Sequence, residues 1–206
     1  MNTLAHPVID GIDTDEAFIR LAEQYGTPLP VDGHNVIQSL EVKDKESARP
    51  NSLSGRYGTD LFPYHTDAAY EETPPRILLL RAVEGDIDRR THVIHYSDLI
   101  TDFTQSEIRR SAWLCDTGKR KFLTTLTFDH DGRCGFRFDL DCMTPANTIA
   151  MRIDEVLRKQ CLLLRPAGIE WRINRVAVID NWQTLHARGA SSSSERLRKL
   201  QRIHVK

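Results

Sequence analysis

Several things are scarce in this 206-residue chain, and each scarcity excludes something. No stretch comes near the roughly 18 apolar, uncharged residues of a membrane-spanning helix. Charge of one sign is not in excess: 28 basic residues face 29 acidic ones, so nothing calls for a nucleic-acid partner, which usually shows as a basic surplus. The opening, "MNTLAHPVIDGIDTDEAF", has no basic region followed by an apolar one. A secretory signal is therefore not expected, and the cytoplasm is the expected location. Four cysteines are present, Cys115, Cys134, Cys142 and Cys161, but no two form a CxxC pair. A thiolate zinc site is poorly supported, and reduced, mostly buried thiols are expected. No internal repeat occurs, and the single low-complexity run, "ASSSSER" (190–196), reads as a flexible connection.

What is present suits one globular domain, 1–206. Hydrophobic residues make up 40% and charged residues 28% of the chain, a balance that builds a core and excludes disorder. "DTDEAFIRLAEQYG" reads as a helix that Asp13 or Thr14 can cap, with Phe18, Leu21 and Ala22 as its apolar stripe and Gly26 as its stop. "NVIQSLEV" alternates like a strand. "KDKESARPNSLSGRYGTD" is a long polar segment of the kind that covers functional sites. "RILLLRAV" reads as a buried strand, "THVIHYSDL" begins with another, and "TQSEIRRSAWL" is a short helix capped by Thr104. Two β-rich runs around "DHDG" predict a hairpin. "PANTIAMRIDEVLRKQCLLL" is the longest helix, with Pro145 near its first turn. "GIEWRI", "RVAVIDNW" and "RLRKLQRIHV" complete the strands. Many strands and two clear helices without regular alternation disfavour a doubly wound parallel sheet. The expected class is mainly β with flanking helices, as a sandwich or barrel.

Chemistry concentrates in three places. In "FPYHTDAAY", His65 and Asp67 are two residues apart, so on an extended segment they share a face within reach of one cation. An imidazole and a carboxylate suit iron, manganese or zinc. In "VAVIDNWQTLHARG", His186 follows an apolar strand, a place at the lip of a barrel. Together the three make a 2-His-1-carboxylate triad, which leaves metal positions open as an oxygen-activating Fe(II) requires. In "RLRKLQR", Arg198 and Arg202 share a strand face, and their guanidinium forks suit a dicarboxylate or oxo-acid. His92 and His95 lie along the Thr91 strand, where one could face a pocket but a core or surface role is expected, and His130 sits in a turn. Trp182 and Phe138 read as core. Tyr57 and Ser54 lie in the polar segment, where a substrate could touch them. Arg137 and Asp139 read as structural.

These pieces, in this order, resemble the Fe(II)/2-oxoglutarate-dependent dioxygenases of the taurine dioxygenase and clavaminate synthase type. The likeness runs through "FPYHTDAAYEETPPRILLLRAVEGD", "RRTHVIHYSDL", "FRFD", "VAVIDNWQTLHARG" and "RLRKLQRIHV", most of the chain from Asn51 onward. It implies a double-stranded β-helix, or jelly roll, with His65, Asp67 and His186 holding Fe(II). It implies 2-oxoglutarate as co-substrate, its far carboxylate held by Arg198 and Thr91, and O2 as oxidant. Arg202 matches a second arginine that lies near 2-oxoglutarate or an anionic substrate group. The step from His186 to Arg198 is one residue longer than in the taurine type and shorter than in the clavaminate type, which leaves both arginines open for the 2-oxoglutarate role. Asp180 and Asn181 match a structural turn. The Asp67 carboxylate, absent from members that halogenate, favours hydroxylation or a related C–H oxidation, with release of succinate and CO2. The implied substrate is a small molecule, an amino acid or a biosynthetic intermediate. The chain is short for the family, so a tethered substrate or a second subunit could complete the lid. The alternative is a metal-binding jelly roll that does not turn over 2-oxoglutarate: an isomerase, a sensor or a non-catalytic binding module.

Overall fold

A computed structural model describes residues 6–41, 53–58, 60–84, 89–164, 166, 168–189 and 198–206. After the short strand β1 (Val8–Ile9) comes helix α1 (Asp15–Glu23). Thr14 is its cap, accepting the Ala17 N–H at 3.1 Å and so satisfying a donor that has no partner within the helix. Phe18, Leu21 and Ala22 are its buried residues. Gly26 follows the helix with φ 144°, and a Cβ there would collide with the Lys206 carbonyl; glycine is what lets the turn after α1 approach the Lys206 backbone.

Strand β2 (Gln38–Glu41) covers half of the alternating stretch. Of the polar segment expected over the site, residues 43–52 lie outside the described residues. Its end is not loop but a short helix, α2 (Leu53–Tyr57). Next come β3 (Phe62–His65), β4 (Ile77–Glu84), β5 (Thr91–His95), α3 (Tyr96–Leu99) and α4 (Gln105–Arg110). Thr104 caps α4 in a reciprocal box: its hydroxyl accepts the Glu107 N–H, and the Glu107 carboxylate accepts the Thr104 N–H.

The middle of the chain holds β6 (Trp113–Asp116), β7 (Lys121–Thr124), β8 (Thr127–His130), β9 (Arg133–Phe136) and β10 (Met143–Pro145). The hairpin expected around "DHDG" is β8–β9, turning through Asp131 and Gly132, both at positive φ. Its first run is split, however. Leu126 turns into the core, and β7 pairs with β6 instead. Pro145 likewise ends β10 rather than opening a helix. Asn147 caps the long helix α5 (Thr148–Leu163) by accepting the Ala150 N–H at 2.8 Å. The last strands are β11 (Gly168–Ile169), β12 (Val176–Asp180), β13 (Thr184–Arg188) and β14 (Lys199–Val205). The serine run before β14 lies outside the described residues.

Two antiparallel sheets carry the architecture. One has the order β1-β12-β4-β14-β2 and the other β11-β5-β13-β3. Between them pack Leu78, Leu80, Ala177, Ile179 and Leu200 from the first sheet and Val93 and Ile169 from the second, with Trp171. The outer face of the first sheet (Leu79, Val176, Val178, Ile203, Val205) is covered by α1. The outer face of the second (Ile94, Leu185, Ala187) packs on Ala150, Ile153 and Leu157 of α5. Strand β4 is therefore buried on both faces, which is why it reads as a hydrophobic run, interrupted at Arg81, which is itself buried and paired with Asp15 of α1. The result is a jelly roll with helices outside, its two sheets facing each other without closing into a barrel. Five helices are present among the described residues, against the two that periodicity makes clear. None is long and apolar enough to cross a membrane. None of the four cysteines is in a disulfide; Cys115 and Cys161 are buried and Cys134 and Cys142 half-buried.

Candidate functional site

His65 ends β3, and His186 sits directly across from it in β13, the two being register partners. Their ring centroids are 4.2 Å apart. His186 is thus in mid-strand rather than at the strand-end lip expected for it; the turn at Asp180–Gln183 is tight enough for β13 to begin at Thr184. Asp67 follows β3 in a turn, not in the extended segment that the HxD spacing suggests, and still faces the same side. Its Oδ1 lies 3.4 Å from His65 Nε2 and 3.7 Å from His186 Nε2. Ligand atoms from all three side chains lie within 4.8 Å of one another, and all three residues are buried.

The turn carrying Asp67 is held from a distance. Asn181 accepts the Asp67 N–H at 2.9 Å and donates to the carbonyls of Asp67 (3.1 Å) and Pro75 (2.8 Å). Ala68, next in the chain, has φ 53°, a conformation that costs energy in a residue with a Cβ. Arg137 donates to the carbonyls of Ala69, Glu71 and Glu72, which fixes the remainder of the loop and gives this arginine the structural role expected of it. Asn181→Ala would strand three buried polar groups. The expected loss is about 3 kcal/mol in urea denaturation, together with weaker metal binding; a stability change below about 0.5 kcal/mol would refute the clamp.

The residues fit a divalent metal. His65 Nδ1 lies 3.0 Å from the Pro63 carbonyl. A carbonyl only accepts, so Nδ1 carries the proton and the neutral ring turns the Nε2 lone pair toward Asp67. His186 Nδ1 is buried with no hydrogen-bond partner among the described residues. Two imidazoles and one carboxylate oxygen are a donor set for a borderline cation such as iron.

The charges are strongly coupled. Burial pushes the Asp67 carboxyl up, but Arg202, with contacts from His186, His204 and His65, holds it well below the usual carboxylate range. Burial disfavours a charged His65, yet Asp67 beside it raises its pKa above the ordinary histidine value. Burial and the neighbouring His65 lower His186 to about 4.

The cluster opens onto a cavity of about 230 Å³. His65, Asp67 and His186 form one part of its wall, and Thr91, Arg198 and Arg202 another, with apolar Leu80 and Leu200 also lining it. Arg198 is 4% exposed. It donates through Nη1 to Thr91 Oγ1 at 3.3 Å and to the Arg89 carbonyl, and its guanidinium lies over the Trp171 ring. Trp171 Nε1 also donates to Thr91, at 3.2 Å. Arg202 instead meets Asp67 Oδ2 at 2.7 Å and reaches Gln38 with its other nitrogen.

Other residues fall elsewhere. Tyr57 does not line the cavity; its hydroxyl donates to Asp141 at 2.9 Å. The side chain of Ser54 lies outside the described ones. His92 binds the Pro166 carbonyl, and His95 caps α3. His130 ends β8 and packs edge-on to Trp182. Trp182 and Phe138 are core. Asp139, partly covered, accepts the Asp141 N–H, and burial pushes its carboxyl up. Two neighbours of the cluster were not singled out in the sequence, His204 and Gln38. For His204 the signal was available, because it follows Arg202 by two on a strand.

No family model and no curated protein matches this sequence. Solved structures do. Asparagine oxygenase in complex with Fe(II), 3-hydroxyasparagine and succinate superimposes with a TM-score of 0.74 at 16% identity, over 98% of this chain and 74% of that one. The non-heme iron oxygenase OrfP with Fe and alpha-ketoglutaric acid gives 0.74 at 16%, over 100% and 76%. PvcB from Pseudomonas aeruginosa gives 0.68 at 18%, over 98% and 75%. Set beside the sheet order and the two packed faces, these superpositions show that the chain has the clavaminate synthase-like jelly-roll fold of the Fe(II)/2-oxoglutarate-dependent oxygenases.

Proposed function

We propose that this protein is an Fe(II)- and 2-oxoglutarate-dependent oxygenase that hydroxylates, or otherwise oxidises, an unactivated C–H bond of a small amino-acid-like molecule, releasing succinate and CO2. One observation carries the reading: the His65–Asp67–His186 cluster opens onto the same cavity as the buried Arg198–Thr91 pair. His65 Nε2, Asp67 Oδ1 and His186 would hold the metal. Bound Fe(II), with 2-oxoglutarate and O2, supplies the oxidising power that breaks the C–H bond.

The chain's own residues do the rest. Arg198 and Thr91 offer charge-assisted hydrogen bonds to the far carboxylate of 2-oxoglutarate. Arg202, also on the cavity wall, suits an anionic substrate group such as an amino-acid carboxylate. Leu80 and Leu200 keep the cavity apolar, which strengthens every polar contact inside it and limits water. The substrate class follows the solved relatives, which hold hydroxyasparagine and hydroxyarginine; a free amino acid and one tethered to a carrier share that chemistry.

Anaerobic addition of Fe(II) and 2-oxoglutarate to the purified protein tests this. A visible charge-transfer band is expected in the wild type and not in His186→Ala. Iron bound without the band would leave a metal-only jelly roll, an isomerase or sensor. No bound iron would leave a non-catalytic binding module.

A further inference from the structure

The two oxygens of Asp67 face different company. Oδ1 points at the imidazoles of His65 and His186. Oδ2 is met by Arg202 Nη1 at 2.7 Å and by His204 Nε2 at 3.0 Å. We propose that His204 is a positioning residue for the metal-binding carboxylate: it holds Asp67 Oδ2 through its Nε2–H, so that Asp67 offers the metal Oδ1 alone. This rests on the reading of His65, Asp67 and His186 as a metal centre.

The geometry separates His204 from Arg202. A carboxylate beside a guanidinium only accepts hydrogen bonds, so the proton in the His204 contact sits on Nε2. Arg202 lines the cavity and divides its guanidinium between Asp67 and Gln38. It can therefore turn to an anion entering the cavity. His204 does not line the cavity, and its backbone is fixed on both sides: it pairs with Leu78 of β4, and its carbonyl accepts the Leu29 N–H at 2.8 Å. Once a ligand draws Arg202 away, His204 still occupies Oδ2. Asp67 then cannot swing to chelate through both oxygens, and a metal position stays open. Partners of this kind orient a ligand and tune the affinity of a metal site.

Cobalt(II), whose d–d absorption reports its ligands, is the probe. It is titrated into wild type, His204→Phe and His204→Gln, each checked for native circular dichroism. His204→Phe keeps a ring and loses the donor; His204→Gln keeps an N–H donor. The expected result is about 10- to 100-fold weaker binding with an altered d–d spectrum for His204→Phe, and affinity within about threefold of wild type for His204→Gln. If His204→Phe does not fold, His204→Leu takes its place with the same expectation. Equal affinity and spectra in wild type and the donor-less variant would overturn the positioning role while leaving the metal centre standing. So would a His204→Gln variant as weak as His204→Phe. Absence of any cobalt band in wild type would overturn the metal centre itself, and the role of His204 with it.

Discussion

Arg198→Ala is expected to abolish 2-oxoglutarate binding while leaving metal binding intact. Arg198 is held before any ligand arrives, by the Thr91 hydroxyl, the Arg89 carbonyl and the Trp171 ring. A guanidinium fixed in this way loses little freedom on gripping a carboxylate, and in a buried cavity the charge-assisted pair is screened weakly. Removing one partner of such a pair costs about 2–5 kcal/mol, or roughly 30- to several-thousand-fold in Kd. Arg198→Lys should recover part of the loss, because an ammonium keeps the charge but not the fork. Arg202→Ala should leave 2-oxoglutarate binding far less affected, since Arg202 is engaged with Asp67 and Gln38. Calorimetric titration of 2-oxoglutarate into the anaerobic Fe(II) protein decides this. If Arg202→Ala loses the ligand and Arg198→Ala keeps it, the arginines exchange roles. If neither change matters, the metal-only alternative gains.

How far the sequence carried depended on whether a residue's partners lie nearby in the chain. Strands β4 and β12 were legible because both faces of each are buried, which leaves four consecutive apolar residues in each, Ile77–Leu80 and Val176–Ile179. Strand β13 was not, because Thr184 and His186 are polar yet buried, and the run carries functional side chains where a strand usually carries packing ones. The HxD pair was legible from its spacing even though Asp67 proved to lie in a turn. The two arginines were legible from their spacing even though Arg198 lies just before β14, ahead of a register shift at Lys199 and Leu200; both still reach the cavity wall. Contacts over long separations had no local signature. Asn181 holds the Asp67 turn across 114 residues, and Arg137 reaches the Ala69 carbonyl across 68. Pro145 misled for a related reason: the cap that starts α5 is the Asn147 side chain, two residues on, so a proline could close β10 instead.

Metal affinity is expected to fall about tenfold for each pH unit below the pKa of His65, with slope one rather than two down to about pH 5. Both imidazoles must be neutral to bind a metal, and two ordinary histidines near 6.5 would each compete with it for a proton. Here only one does. His65, raised above the ordinary value by Asp67, takes the proton first; its charge then helps burial keep His186 neutral down to about 4. Asp67 stays ionised throughout, because Arg202 and the surrounding imidazoles hold its pKa well below the usual carboxylate range. The same two shifts act on the stability of the metal-free protein with opposite signs. His65 has a raised folded pKa, so its contribution is fully present below the unfolded value of about 6.5 and is lost as pH rises through the folded one. His186 has a lowered folded pKa, so its contribution is present above about 6.5 and is lost as pH falls toward 4. Over that lower window His186 carries a proton in the unfolded chain and not in the folded one, a contribution of about 1.4 kcal/mol per pH unit, which the raised Asp139 carboxyl opposes toward the acid end. Together they place a stability maximum near pH 6.5 in the metal-free protein. Saturating metal, which binds the deprotonated pair, should move that maximum upward. Urea denaturation between pH 4.5 and 8.5, with and without cobalt(II), measures both curves. A metal-affinity slope of two, or a metal-free stability that rises steadily through pH 6.5, would show that the two histidines titrate as independent groups.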